Sequence, residues 1–236
     1  MKIKAIVWDY DGTLVDTRLK NLNVTKAIIS EVFSNENKKF SVLSSLENYE
    51  SANIKHANWR ELYQKEFEMN NEQIDFAGSL WTKYQLLDKT PAELFNGISS
   101  VISKLDSYKQ GIVSQNSYEN IKNNLERLGL IKYFKTIIGY EEIGITNQKP
   151  HPDGLLLCIN ELTDLYEDNS VIYIGDHETD VKCAFNANEV LGRNVVITIY
   201  INHTNEDLSF DWVFKPDYTA SSPSEIIEIV DRIKNE

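Results

Sequence analysis

Five short runs of apolar and mostly β-branched residues punctuate this 236-residue chain: Ile3–Trp8, Gly111–Ser114, Thr136–Gly139, Val171–Gly175 and Val195–Ile201. None alternates cleanly between apolar and polar, as a strand with one solvated face does, so each reads as a strand buried on both faces. Helical patterns fill the gaps. Ile98, Val101, Ile102 and Leu105 recur at i, i+3, i+4 and i+7. Ile121, Leu125 and Leu128 come close to the same pattern, with Gly129 as the stop. Pro152–Leu162 and Thr179–Ala187 supply two more helices, and Ser222 with Glu225 around Pro223 has the form of a capping box opening a last helix through Ile226, Ile227 and Val230. Strands alternating with helices specify βαβ units and a parallel sheet, hence an α/β fold with helices covering the sheet.

From about Asp16 to Lys89 this rhythm stops. No convincing strand occurs there, and helices are expected at Thr17–Phe33, Ile54–Met69 and Gln73–Leu87. A helical insertion after the first strand accounts for the break, giving a core of residues 1–16 and 90–236 and an inserted α-helical domain of residues 17–89. Composition agrees with a globular chain, at 42% hydrophobic and 25% charged residues. The net charge of −12, from 24 Lys+Arg against 36 Asp+Glu, argues against nucleic acid or an anionic membrane as a partner, since both attract basic surfaces. It leaves room for a local basic site. Cys158 and Cys183 are too few for a disulfide framework, lack zinc-type spacing, and sit in apolar helical contexts, so both are expected to be buried thiols. The first apolar run ends at Asp9, too soon for a secretory signal, and no run reaches the length of a membrane span, so a cytoplasmic location is expected.

The chemistry-bearing residues gather where strands end. The first strand runs into Asp9-Tyr10-Asp11-Gly12-Thr13. Side chains two apart on an extended segment project the same way, so Asp9 and Asp11 leave the strand tip together. Two close carboxylates need a proton or cation between them, and a hard cation such as Mg2+ prefers oxygen ligands. Gly12 permits a sharp turn, and Thr13 offers a hydroxyl and an N–H to an anion. The second strand ends at Ser114, just before a helix, where free N–H groups favour an anion. Lys149 lies in Gln148-Lys149-Pro150-His151-Pro152, whose two prolines stiffen the segment. Asp176 ends the fourth strand, with Asp180 one helical turn on; His177 between them reads as a loop residue and not a ligand. Taken singly, each of these has an ordinary explanation as a turn, a helix cap or a solvated lysine.

Together, in the order Asp/Asp, Ser, Lys, Asp/Asp at successive strand ends, they resemble the haloacid dehalogenase superfamily of phosphohydrolases. Asp9–Thr13 matches its DxDGT signature, Ser114 its hydroxyl motif, Lys149 its lysine motif and Gly175–Asp180 its GDxxxD motif. The resemblance is strongest to the phosphoglycolate phosphatase and β-phosphoglucomutase branch, and implies a Rossmann-like core with a mobile helical lid. It further implies that Asp9 is the nucleophile, that Asp11 is the general acid and base, and that Thr13, Ser114 and Lys149 hold phosphoryl oxygens. Mg2+ would lie on Asp9, Asp176 and the main-chain carbonyl of Asp11, with Asp180 orienting Lys149 or metal-bound water. Dehalogenase members lack an acid at the second position, because a halide needs no proton to leave, and the phosphonatase branch departs there too; Asp11 therefore points away from both.

The expected activity is Mg2+-dependent hydrolysis of a small organic phosphate ester. The alternatives are a phosphomutase of the β-phosphoglucomutase type, against which Thr13 leans, and a non-catalytic phosphate-binding regulator, against which the complete motif set leans. The expected partner is a small phosphorylated metabolite. In the inserted domain Arg18, Lys20, His56, Trp59 and Arg60 are candidates for recognising the leaving group, with Arg18, just past the first motif, the foremost.

Overall fold

A computed structural model describes residues 2–34, 38–56, 58–163, 169–203 and 211–235. The chain divides into two compact units, Met1–Asp16 with Glu93–Glu236, and Thr17–Ala92. The first is an α/β unit built on a six-stranded sheet. Its strands are β1 (Ile3–Trp8), β4 (Lys109–Val113), β5 (Phe134–Ile138), β6 (Ser170–Gly175), β7 (Val196–Ile201) and β8 (Tyr218–Ala220), in the order β5-β4-β1-β6-β7-β8. Every pairing is parallel. A separate antiparallel pair, β2 (Val15–Asp16) with β3 (Glu93–Leu94), joins the outgoing and returning chain where the insertion leaves the unit.

Both sheet faces are covered, which is why the strands read as continuous apolar runs. On one face α8 (Asp153–Leu162) and α9 (Glu178–Leu191) bury Leu155, Cys158, Ile159, Cys183 and Ala184 against Ala5, Val7, Val113, Val171 and Tyr173. Gly111 keeps α8 close: a Cβ there would lie 2.6 Å from Cys158 Sγ. α5 (Ile98–Lys104) and α10 (Pro223–Asn235) contact one another, and α6 (Tyr118–Arg127) follows β4. Trp8 is fully buried, with its indole N–H satisfied by Gln110 Oε1 at 2.9 Å. The capping box anticipated at Ser222 takes another form: Glu225 turns back to accept the Ser221 N–H at 2.9 Å and lies 3.4 Å from the Ser222 hydroxyl.

The second unit is helical: α1 (Arg18–Val32), α2 (Leu46–Lys55), α3 (Trp59–Glu66) and α4 (Asn71–Leu87), with a short 3-10 turn at Ser41–Leu43. Leu22, Ile28, Tyr49, Leu62, Phe67, Ile74 and Ala77 form its own apolar core. The single helix expected over Ile54–Met69 is two elements. Ile54 and Lys55 end α2, which begins behind Ser45, whose hydroxyl accepts the Asn48 N–H at 3.1 Å. α3 starts afresh because Asn58 caps it, accepting the Glu61 N–H at 3.0 Å. Thr90 and Ala92 belong with this unit: Asn23 Nδ2 donates to Thr90 Oγ1 at 2.9 Å and Ala92 is buried. No helix among the described residues is long and apolar enough to cross a membrane.

Candidate active site

Register brings the motifs together. Trp8, the last residue of β1, pairs with Ile112 on one side and Ile174 on the other. Asp9 continues the pairing, its N–H donating to the Ile174 carbonyl at 2.8 Å. The next residues of the flanking strands lead directly to Ser114 and Asp176, so three motif loops rise side by side from the centre of the sheet. This is the edge where open α/β sheets bind ligands. The segment after β5, with the short helix α7 (Tyr140–Ile143) and a 3-10 turn at Ile145–Asn147, carries Lys149 to the same place, anchored by Gln115 Nε2 donating to the Lys149 carbonyl at 2.9 Å.

Asp9 is 6% exposed and Lys149 is 7% exposed. The Lys149 ammonium donates to Asp9 Oδ1 in a very short contact and to Asp180 Oδ1 at 2.7 Å. The Tyr173 hydroxyl donates to the same Asp180 oxygen at 2.9 Å, and the His177 N–H reaches Asp180 Oδ2 at 3.2 Å. Asp180 Oδ1 thus meets both Lys149 and Tyr173, while Oδ2 takes the His177 N–H. Thr13 is buried, with its hydroxyl donating to Asp176 Oδ1 at 3.1 Å and lying 3.4 Å from Asp9 Oδ2. His177 caps α9, its Nδ1 accepting the Thr179 N–H at 3.3 Å.

One carboxylate oxygen from each of Asp9, Asp176 and Asp180 lies within 4.8 Å of the others. Burial pushes the Asp9 carboxyl up to about 7, with Lys149 opposing and Asp180 and Asp11 adding to the rise. Asp176 is driven well above its ordinary range by burial, then by Asp9 and Asp180. Burial works against the Lys149 charge, yet Asp180 and Asp9 outweigh it and keep the ammonium protonated. Asp9 and Asp180 thus share the Lys149 ammonium with the Asp176 carboxylate beside them, and a further positive charge would relieve the repulsion among the three. Its donors are all oxygen, the chemistry that suits Mg2+. Gly12, at φ +79°, passes so close that a Cβ would overlap the Asp176 carboxylate.

Asp11 stands on the other side. Asn116 Nδ2 donates to both of its carboxylate oxygens at 3.1 Å, and the Ser114 hydroxyl donates to Oδ2 at 3.3 Å. Tyr10, between the two aspartates, points the opposite way and is buried, its hydroxyl accepting from Asn124 Nδ2 at 2.6 Å. Sequence reasoning passed over Asn116, Tyr173 and His203. His203 Nε2 donates to the Thr13 carbonyl at 2.9 Å while its ring stacks on Phe95 at 3.7 Å.

The candidates in the helical unit are bound up within it. Lys20 is buried and donates to the Asp88 carbonyl at 3.1 Å. His56 is buried, 2.8 Å from Glu66. Trp59 packs edge-on against Tyr63 with ring centres 5.5 Å apart, and Arg60 pairs with Asp75 at 2.7 Å. Arg18 opens α1, with its side chain 45% exposed and 3.8 Å from Glu50.

Comparison with known proteins identifies the family and the fold. The family model for haloacid dehalogenase-like hydrolases matches residues 6–190. Over 237 residues the chain is 28% identical to the pyrophosphatase PpaX of Listeria innocua, covering 97% of each protein. It is 25% identical to the PpaX of Bacillus mycoides, covering 99% of each. Among solved structures, a haloacid dehalogenase-like protein of Bacteroides fragilis superposes with a TM-score of 0.73 at 20% identity, over 95% of this chain and 100% of that one. A predicted phosphoglycolate phosphatase of Haemophilus somnus gives 0.70 at 16% identity, over 98% and 99%. At such identities the two structures speak for the fold. The family match runs from within the first strand through the helical unit and past Asp180, and the chain belongs to the haloacid dehalogenase-like hydrolases.

Proposed function

We propose that this chain is a Mg2+-dependent phosphatase acting on a small organic phosphate through an aspartyl phosphate on Asp9. The observation that carries the reading is the cluster of Asp9, Asp176 and Asp180 carboxylates, with Asp9 and Asp180 both closing on the ammonium of Lys149. Mg2+ would be held by Asp9, Asp176 and the main-chain carbonyl of Asp11, and supplies the positive charge that lets a carboxylate approach a phosphate. A site rich in acid then recognises an anion because its carboxylates are neutralised.

In the first half-reaction an Asp9 oxygen attacks phosphorus in line. The new O–P bond forms as the bond to the leaving oxygen breaks, and that oxygen takes the proton carried by Asp11. In the second, water attacks the same phosphorus and gives a proton to Asp11, and the Asp9–phosphorus bond breaks, releasing inorganic phosphate. Thr13, Ser114 and Lys149 hold the phosphoryl oxygens throughout, stabilising the charge that spreads over them. Asp180 and Tyr173 keep Lys149 in place. The helical unit is assigned the role of lid, with Arg18 as its contact to the leaving group. Replacing Arg18 by Ala should raise KM for the true substrate, and an unchanged KM refutes that contact.

The relatives' names place inorganic pyrophosphate and phosphoglycolate first on a substrate panel. The test is phosphate release from an aryl phosphate with Mg2+, abolished by chelation and restored by adding the metal back. Failure there, with turnover of a sugar phosphate in the presence of a bisphosphate activator, makes the protein a mutase. Failure on both, and on pyrophosphate and phosphoglycolate, with Mg2+ bound makes it a binding protein.

A further inference from the structure

We propose that Asn116 is a positioning residue for Asp11: its amide fixes the plane of the carboxylate that handles the proton in both half-reactions. The inference rests on the phosphatase reading above. Asn116 is 2% exposed and held on every side. Its N–H donates to Ser114 Oγ at 3.0 Å, and its carbonyl accepts the Tyr140 N–H at 3.2 Å. Gly139 permits that close passage, since a Cβ there would lie 2.9 Å from the Asn116 carbonyl oxygen and 2.6 Å from the Tyr118 nitrogen.

The side-chain amide has one orientation open to it. Asn116 Oδ1 accepts the Ser117 N–H at 2.8 Å and Asn120 Nδ2 at 3.0 Å. A main-chain N–H only donates, so the atom facing it must be the oxygen, and Nδ2 is left facing Asp11. There it lies 3.1 Å from each carboxylate oxygen. An equidistant donor sets the plane without choosing which oxygen carries the proton. The same clamp therefore serves the protonated acid of the first half-reaction and the ionised base of the second. Asn120 is itself 8% exposed, so a chain of desolvated amides runs from α6 through Asn116 to Asp11. Burial makes each unmade bond in such a chain costly, which keeps the arrangement single.

The test uses leaving groups. Phenyl phosphate needs a proton delivered to its departing oxygen; dinitrophenyl phosphate, whose phenol is strongly acidic, does not. The ratio of kcat/KM between wild type and variant, measured on both esters with saturating Mg2+, isolates the step up to bond breaking. Asn116→Ala should lose about ten- to a hundredfold on phenyl phosphate and less than about threefold on dinitrophenyl phosphate, the scale expected when a general acid is misaligned. An equal loss on both esters, or none, overturns the inference and leaves the phosphatase reading standing. Asn120→Ala removes the outer donor and should show the same skew, smaller, at about threefold. If Asn116→Ala does not fold by circular dichroism, this milder variant decides: a skewed loss supports the clamp and a uniform one overturns it. Wild-type protein inactive on both esters would overturn the phosphatase reading and the inference with it.

Discussion

At the scale of single residues the site is a problem of charge. Lys149 is the cation between Asp9 and Asp180, and all three are buried. Replacing it by Met leaves two buried carboxylates facing each other, and breaking a buried pair in this way costs about 3–5 kcal/mol. Urea unfolding of the metal-free variant should show a loss of that order, and a stability within about 0.5 kcal/mol of wild type contradicts the burial of this pair. Gly12→Ala adds a Cβ at a positive φ and into the Asp176 carboxylate, so the variant should lose the thermal stabilisation that Mg2+ gives wild type. Asp11→Asn removes the base of the second half-reaction but leaves the nucleophile. With dinitrophenyl phosphate, which needs no acid, it should accumulate a phosphoryl group on the Asp9 peptide, detectable by mass spectrometry. An adduct mapped elsewhere refutes the assignment of Asp9.

At the scale of elements, the buried faces make a separate prediction. Cys158 on α8 and Cys183 on α9 are both fully buried. Burial pushes the Cys183 thiol up to about 12 and the Cys158 thiol up as well. Only the thiolate reacts, so neither should be alkylated in the native protein at neutral pH, while both should react once guanidinium unfolds it. Rapid native labelling would contradict the packing of these helices on the sheet. Elements with an apolar signature were legible in the sequence: all of β1, β4, β5, β6 and β7 were recognisable as buried runs, and α5, α6, α8 and α9 as the helices between them. β8 was not, because Tyr218–Ala220 has no run of its own and is a strand only by pairing with β7. α2 was missed because its sequence, Leu-Glu-Asn-Tyr-Glu-Ser-Ala-Asn-Ile-Lys, buries only Tyr49 and Ala52. Asn116 carries no signal of its own in the sequence; its place against Asp11 depends on the register of β1 and β4, which no local pattern encodes.

At the scale of the whole molecule, the charge of −12 acquires a definite meaning. It is unfavourable for a broad polyanion surface, yet part of it is concentrated where a cation would be bound. In the metal-free protein Asp9 is raised from 3.8 to about 7, and burial raises Asp176 well above its ordinary value as well. Acids whose folded values exceed their unfolded ones favour the folded state while protonated, and that advantage fades as the pH climbs from about 4 through about 7. Mg2+ competes with those protons. The rise in Tm on adding Mg2+ should therefore be larger at about pH 8 than at about pH 5. An equal rise at both contradicts the metal site.

The mechanism stands or falls with Asp9 as the carrier of the phosphoryl group. Its most direct test is the turnover of Asp9→Asn on an aryl phosphate with Mg2+, in a protein whose circular dichroism matches wild type. No phosphate release should be detectable, and wild-type activity in that variant would contradict the role of Asp9 as nucleophile.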